Sequence, residues 1–353
     1  MFLRLYSVRN SCVRWYCANS YNTTNRSFLK VKPTSKSYLF STTPTKLLRG
    51  RYKNNKNIQS LEPHFEGLVV ESEHVELSRL WKPFLFTIAF SSSSLVCAAI
   101  WQYENLRARG KLGYHNSTRW LQGTTKKVGK WRNDFNRWYS RLSESEKVFI
   151  PICLLNVLVF LAWRVPKFQP TMVKYFCSNP AGSALCWPMV LCTFSHYSAL
   201  HLFTNMYVLH SFSSGTITNM GKEQFVGFYM TAGVISSFIS SLHKVVVNRP
   251  GLSLGASGAI MAVLGYMCTR YPEQELSIIF LPFLTFKAAT AIKVIMGIDL
   301  FGILMGWKFV DHAAHLGGAT FGIFWSHWGT YHIWQKREPL LQYWHSIRGP
   351  PQK

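Results

Sequence analysis

Polar and apolar positions divide this 353-residue chain unevenly. Residues 1–61 mix cationic, hydroxyl and apolar side chains without one Asp or Glu. Further on, long apolar runs recur in which charged residues nearly vanish. A hydrocarbon core of roughly 30 Å needs about 20 predominantly apolar residues per spanning helix. By that measure the pattern predicts about seven spans, at 83–102, 148–164, 196–213, 224–246, 254–270, 286–306 and 311–329. A proline-interrupted apolar patch, 277–284, precedes the sixth. The first span contains four consecutive serines, Ser91–Ser94, which a helix tolerates because a serine hydroxyl can bond a carbonyl one turn back.

Between the first two spans lies a polar, basic segment, 103–147. Val128, Trp131, Phe135, Trp138 and Leu142 recur in it at steps of three and four, with Lys127, Lys130, Arg137 and Arg141 between them. This predicts an amphipathic helix with a basic face, suited either to an anionic membrane surface or to packing against the protein's own loops. Ser143 and Glu146 then stand at the spacing of a capping box. Residues 165–195 form a long connection rich in proline. The expected organisation is a basic leader (1–61), a linker (62–82), one separate span (83–102), the surface segment (103–147), a six-helix block (148–329) and a basic tail (330–353). The fold class is an all-α polytopic membrane protein.

Net charge changes this picture little. The formal value is +24, but roughly half arises in the first 60 residues. There Arg4, Arg9 and Arg14 lie among Leu, Val, Phe and Trp with no acid nearby, the pattern of an organelle transit peptide. A nucleic-acid partner is therefore not expected. Of the eight cysteines, only Cys177 and Cys186 share a polar-flanked loop where a disulfide could form. No zinc-ligand spacing appears, and neither a metal nor a cofactor is called for.

Polar and ionisable groups inside hydrocarbon are costly and therefore candidates for function. They concentrate in three stretches: "SHYSALHLFTN" with His196, His201 and Asn205; "GASGA" with Ser257; and "DHAAHLGGATFG" with Asp311, His312 and His315. His201 and Asn205, four apart, share a helix face and supply two hydrogen-bond donors without full charge. Gly258 and Gly265 follow Ser257, and Gly318 and Gly322 follow His315 one turn apart. Small residues on facing stripes let two helix backbones approach closely, which would bring a hydroxyl to an imidazole. Packing alone would also account for these glycines, and Asn205 alone could simply tie two helices.

Together these stretches resemble the rhomboid family of intramembrane serine proteases. The resemblance rests on HxxxxHxxxN at His196, His201 and Asn205, on GxSG at Gly255–Gly258, and on AHLGG at Ala314–Gly318, in that order on three spans. It covers roughly 148–329. The additional N-terminal span and transit-like leader are similar to the mitochondrial inner-membrane branch, with its one-plus-six helices. The resemblance implies that Ser257 is the nucleophile and His315 the general base of a dyad. It implies an oxyanion site at His201, Asn205 and the Ser257 N–H, and a structural role for His196. Gly318 and Gly322 match the glycines that hold the histidine helix against the serine helix, while Gly255 and Gly258 flank the nucleophile. Met261 stands where many members have a tyrosine. Asp311, one turn before His315, is expected to cap its helix, although a third catalytic member there is imaginable.

Substrates implied by the resemblance are transmembrane anchors that unwind easily, of proteins such as a dynamin-like GTPase or cytochrome c peroxidase. Membrane lipid is the other expected partner. The positive-inside rule puts 103–147 on the matrix side. A cleaved leader and a stop-transfer first span put it in the intermembrane space, the reading preferred here. An inactive rhomboid-like protein that binds or escorts membrane clients is the alternative, and it would be marked by loss of the serine or histidine. A proton pathway along the histidines would need more acids than the block contains.

Overall fold

The computed structural model describes residues 75–122, 129–278 and 281–349. The expected transit leader, most of the linker, and Lys127 and Val128 of the surface pattern lie outside them. The described chain is overwhelmingly helical: an all-α polytopic membrane protein with one small β-hairpin.

Helix α1 (Trp81–Gln122) runs 42 residues, well past the expected end of the first span. Of its four consecutive serines, Ser91 and Ser94 face helix α7 (Lys222–Val246), while Ser92 and Ser93 are exposed. Ser94 Oγ donates to the Gly227 carbonyl, and the Ser91 carbonyl accepts from Thr231 Oγ1. A side chain at Gly227 would stand 2.8 Å from Ala98 Cβ, so the small residues are what let these two helices touch. Helix α2 (Lys130–Arg141) buries no residue, and Trp131, Phe135 and Trp138 lie exposed on it. The capping box forms in both directions: the Ser143 N–H donates to Glu146 Oε2 at 2.7 Å, and the Glu146 N–H to Ser143 Oγ at 3.2 Å. It starts helix α3 (Glu146–Ala162), whose axis turns 109° from that of α2.

The connection after α3 contains two short helices, α4 (Gln169–Tyr175) and α5 (Trp187–Leu191), each with proline in its first turn. Proline is favourable there because the missing N–H would have had no helical partner. Cys177 and Cys186 are both free thiols, so the disulfide considered for this loop does not form. Helix α6 (Ala199–Met220) begins three residues after His196, leaving that histidine in the preceding turn. Gly221 joins α6 directly to α7. Helix α8 (Ser257–Arg270) begins at the serine itself.

The proline-interrupted patch contributes to an antiparallel hairpin, β1 (Glu275–Ile278) with β2 (Leu281–Lys287). Helices α9 (Ala288–Met305) and α10 (His312–Phe324) follow, and α10 continues as a π-helical segment, Trp325–Trp334. Helix α11 (Glu338–Arg348) closes the described chain and bonds back to α1, with the Trp344 indole N–H donating to Glu104 Oε1 at 3.0 Å.

Three described helices are long and apolar enough to cross a membrane, or four if the bent α2–α3 pair counts as one span. The expectation of about seven differs for a physical reason. The "GASGA" span loses its first residues to a loop, leaving α8 with 14 residues, and α10 has 13 before the helix widens. Helix α8 is sheltered by protein: Gly258 through Cys268 are all buried. Lipid tails are as apolar as leucine, so close packing rather than the hydrophobic effect must hold this centre together.

Candidate active site

Ser257 occupies the first turn of α8, where the N–H groups have no carbonyl one turn earlier and the helix dipole is positive. The loop before it is held by backbone bonds. Ser178 and Ser253 exchange N–H···O bonds at 2.8 and 2.9 Å, and the Gly255 N–H donates to the Cys192 carbonyl at 2.9 Å. Gly255 has φ +129, a conformation that disfavours any other residue. A methyl there would also stand 2.9 Å from His201 Cε1.

The Ser257 hydroxyl donates to His315 Nε2 at 2.9 Å. Close contact of α8 with α10 makes this possible. A Cβ on Gly318 would collide with the Gly258 carbonyl oxygen, and one on Gly322 with that of Ala262. One on Gly265 would lie 2.5 Å from the Ala319 oxygen. The two helices meet backbone to backbone along three turns, and the hydroxyl–imidazole pair lies at the end where both helices begin. Met261 is buried one turn after Ser257.

His201 and Asn205 project from the first turns of α6. The Asn205 amide donates to the His201 carbonyl at 2.9 Å, which uses one of its two N–H groups within the helix. The His196 ring is fully buried, accepts from the Ala256 N–H at 3.3 Å, and meets the His201 ring edge to face at 4.9 Å between centroids. It therefore braces both the residue before the serine and the neighbouring imidazole. The preceding turn is tied to α3 by the Trp163 indole N–H, which donates to Ser195 Oγ at 2.9 Å.

Asp311 is directed away from His315. Its Oδ1 accepts from the Ala314 N–H at 3.0 Å, capping α10. Its Oδ2 accepts from Ser240 Oγ at 2.5 Å, from the Ser253 hydroxyl, and from Lys244 Nζ at 3.2 Å. It thus ties α10, α7 and the serine loop together. A small cavity of about 20 Å³ lies here, lined by Ser236, Ser240, Ser253, Ser257 and Asp311 together with apolar groups such as Leu254, Ala259 and Ala314. One water needs about 10–15 Å³ on such a measure, so the space suits a solvent molecule beside the hydroxyl.

Sequence reasoning missed Asp299. It is buried on α9, with Oδ1 2.8 Å from His312 Nδ1 and 3.4 Å from His315 Nδ1. The signal that could have found it is its position as an acid inside an apolar span, the criterion that singled out the histidines. No group of three or more His, Cys, Asp or Glu among the described residues is arranged to hold a metal ion.

Comparison with known proteins agrees with this architecture. The rhomboid domain family model matches residues 184–331. The mitochondrial presenilin-associated rhomboid-like protein of Mus musculus is 49% identical over 292 residues, which cover 82% of this chain and 77% of the mouse protein. The chain belongs to the rhomboid family. The Homo sapiens counterpart is 48% identical over the same length and shares, and mitochondrial rhomboid protein 1 of Saccharomyces cerevisiae is 28% identical over 190 residues, 53% of this chain and 55% of its own. This rhomboid is a mitochondrial multi-pass membrane protein.

Proposed function

We propose that this rhomboid is an intramembrane serine endopeptidase of the mitochondrial inner membrane that cleaves the transmembrane anchors of mitochondrial proteins. The observation that supports it most is the 2.9 Å hydrogen bond from Ser257 Oγ to His315 Nε2 across two helix N-termini. In this reading His315 takes the hydroxyl proton as Ser257 Oγ attacks a peptide carbonyl carbon. The carbonyl oxygen becomes an oxyanion, stabilised by the Ser257 N–H, the His201 ring and the second N–H of Asn205. His315 then protonates the leaving amine, the C–N bond breaks, and an acyl-serine remains. Water activated by the now neutral His315 hydrolyses that ester and restores the enzyme.

A bond inside an intact helix has its carbonyl already engaged, so substrates must unwind locally. Small or helix-breaking residues near the cut favour this. Anchors of dynamin-like GTPases or of cytochrome c peroxidase are substrates implied by the family.

The test is cleavage of a model transmembrane segment by the purified full chain in liposomes, alongside Ser257→Ala and His315→Ala. Each variant should lose at least about 10⁴-fold in kcat, as members of a nucleophile–base unit do. A fluorophosphonate should label the parent and not Ser257→Ala. Cleavage by both variants at the parent's rate refutes the proposal.

A further inference from the structure

A cavity of about 490 Å³ opens where α1 ends, α3 begins and α6 turns into α7. It lies at the far end of α6 from the serine: Thr218, in its lining, is about 26 Å along that helix from His201. Gln102, Asn105, Leu106 and Arg109 line it from α1, at the spacing of a single helix face. Ser143, Glu144 and Ser145 line it from the turn into α3, and Gly221, Lys222 and Glu223 from the junction of α6 with α7. Gln102 Nε2 and Glu223 Oε2 approach the same point, because a Cβ on Gly221 would stand 3.8 Å from each.

The charges in this lining are unevenly satisfied. Glu144 and Lys222 pair with each other at 2.5 Å, and Lys147 takes the second Glu144 oxygen at 2.7 Å. Glu223 is only 7% exposed, and its Oε1 accepts from the neutral Asn105 amide at 2.7 Å. Its Oε2 has neither a hydrogen-bond donor nor a cation among the described residues. A carboxylate buried at the end of a membrane span is costly without a counter-charge. Arg109 has the opposite deficit, since its guanidinium has no acceptor among the described residues. Asn105, which holds Glu223, and Arg109 are one turn apart on α1, about 6 Å along its axis. The cavity therefore presents one uncompensated anion and one uncompensated cation close together.

We propose that this cavity holds the phosphoethanolamine head group of a membrane phospholipid, with the ammonium on Glu223 and the phosphate on Arg109. A ligand that satisfies both groups must carry both signs, and a phosphate joined to a primary ammonium by two carbons has that reach. The hydroxyls of Ser143, Ser145 and Thr218 line the same cavity and can donate to phosphate oxygens. Choline fits poorly: its quaternary ammonium has no N–H and is recognised by aromatic cages, and no aromatic ring among the described residues lines this cavity. An anionic glycerol head group fits poorly as well, because it leaves Glu223 uncompensated.

Position identifies the source as a lipid rather than a free solute. The apolar spanning stretch Leu77–Gly110 ends here, which puts the cavity at the height of the head groups. Leu106, 62% exposed, and Ile217 give the lining an apolar wall for the glycerol end. A lipid seated there bridges α1 to α7 at the end of the protein remote from Ser257. This site goes beyond the protease reading and does not depend on it.

The experiment titrates the purified full chain in detergent with dioleoyl phosphatidylethanolamine, its mono- and dimethyl derivatives, dioleoyl phosphatidylcholine, dioleoyl phosphatidylglycerol and free O-phosphoethanolamine. Affinity is read by native mass spectrometry and by thermal shift. Phosphatidylethanolamine should bind at least about tenfold more tightly than phosphatidylcholine, the worth of one hydrogen bond to a charged group. The largest drop in the methyl series should come with the third methyl, which removes the last N–H. Glu223→Gln keeps an acceptor for Asn105 without the charge, and should bring the two lipids within about threefold of each other. Arg109→Ala should weaken both by about threefold or more, since both carry the phosphate.

The proposal is overturned if phosphatidylcholine or phosphatidylglycerol binds as tightly as phosphatidylethanolamine, or if Glu223→Gln keeps the tenfold preference. Free O-phosphoethanolamine that stabilises the protein as well as the lipid does overturns the membrane source. Should Glu223→Gln fail to fold, the methyl series on the parent and the exposed-site variant Arg109→Ala still decide. An Arg109→Ala protein that binds phosphatidylethanolamine like the parent is equally fatal.

Discussion

Replacing Gly318 by alanine tests whether backbone contact between α8 and α10 is what creates the reactive pair. Its Cβ would collide with the Gly258 carbonyl oxygen and stand 3.0 Å from both the Gly258 carbonyl carbon and Ser236 Oγ. Carbon–oxygen contacts settle at about 3.3–3.6 Å, so the helices must part by on the order of 1 Å. The Ser257–His315 bond crosses the same gap only one turn away, at 2.9 Å. Such an opening takes it beyond the roughly 3.2 Å range of a good hydrogen bond. Misplacement of this size costs about 100-fold in rate, whereas overpacking costs only about 1–3 kcal/mol of stability. Gly265→Ala needs a smaller opening, from 2.5 Å to about 3.3 Å against the Ala319 oxygen, and two turns further from the pair. Its loss should be clearly smaller. The assay is the fluorophosphonate labelling rate beside thermal unfolding, so that slowed chemistry is separated from a lost fold. Labelling of folded Gly318→Ala at the parent's rate would refute the reasoning.

Gly255→Ala combines a backbone conformation at φ +129 with a contact 2.9 Å from His201 Cε1. It should cost about 1–3 kcal/mol in strain and lower cleavage sharply; a calorimetric melt unchanged from the parent contradicts this. At the opposite end of α6, hydrogen bonds from Lys147 and Lys222 hold the Glu144 carboxyl down to about 2, from 4.5. A lowered folded-state value contributes stability above about pH 4.5 that is lost as pH falls through about 2. The side chain is half exposed, so solvent screening limits the effect to within about 1 kcal/mol. Glu144→Gln should melt slightly below the parent at pH 6 and coincide with it near pH 2; a gap that widens in acid would contradict the assignment.

What the sequence disclosed follows from where its physics is local. Serine between glycines and histidine before glycines stand out against apolar runs, so Ser257, His315 and the glycine stripes could be named from composition and spacing. The capping box at Ser143 and Glu146 depends on residues three apart, and it too was readable. The exchange of bonds between Ser178 and Ser253 is a backbone event with no side-chain signature. The hairpin at 275–287 was obscured because a proline in a short apolar run suggests interruption rather than an edge strand. Asp299 was overlooked because its partners lie 13 and 16 positions away on the next helix. Its relation to them exists only once Gly302 lets α9 and α10 close up.

If the chain is the protease proposed above, the brevity of α8 bears on where a substrate is cut. Fourteen residues rise about 21 Å, against a hydrocarbon thickness of roughly 30 Å. An upright helix of that length starting at one face of the bilayer ends about 9 Å short of the other. Under the proposed protease reading this is a ruler: sliding an anchor by one residue along its axis carries each peptide bond about 1.5 Å past the mark. Which bond breaks is then a question of altitude in the membrane as much as of the letters around it.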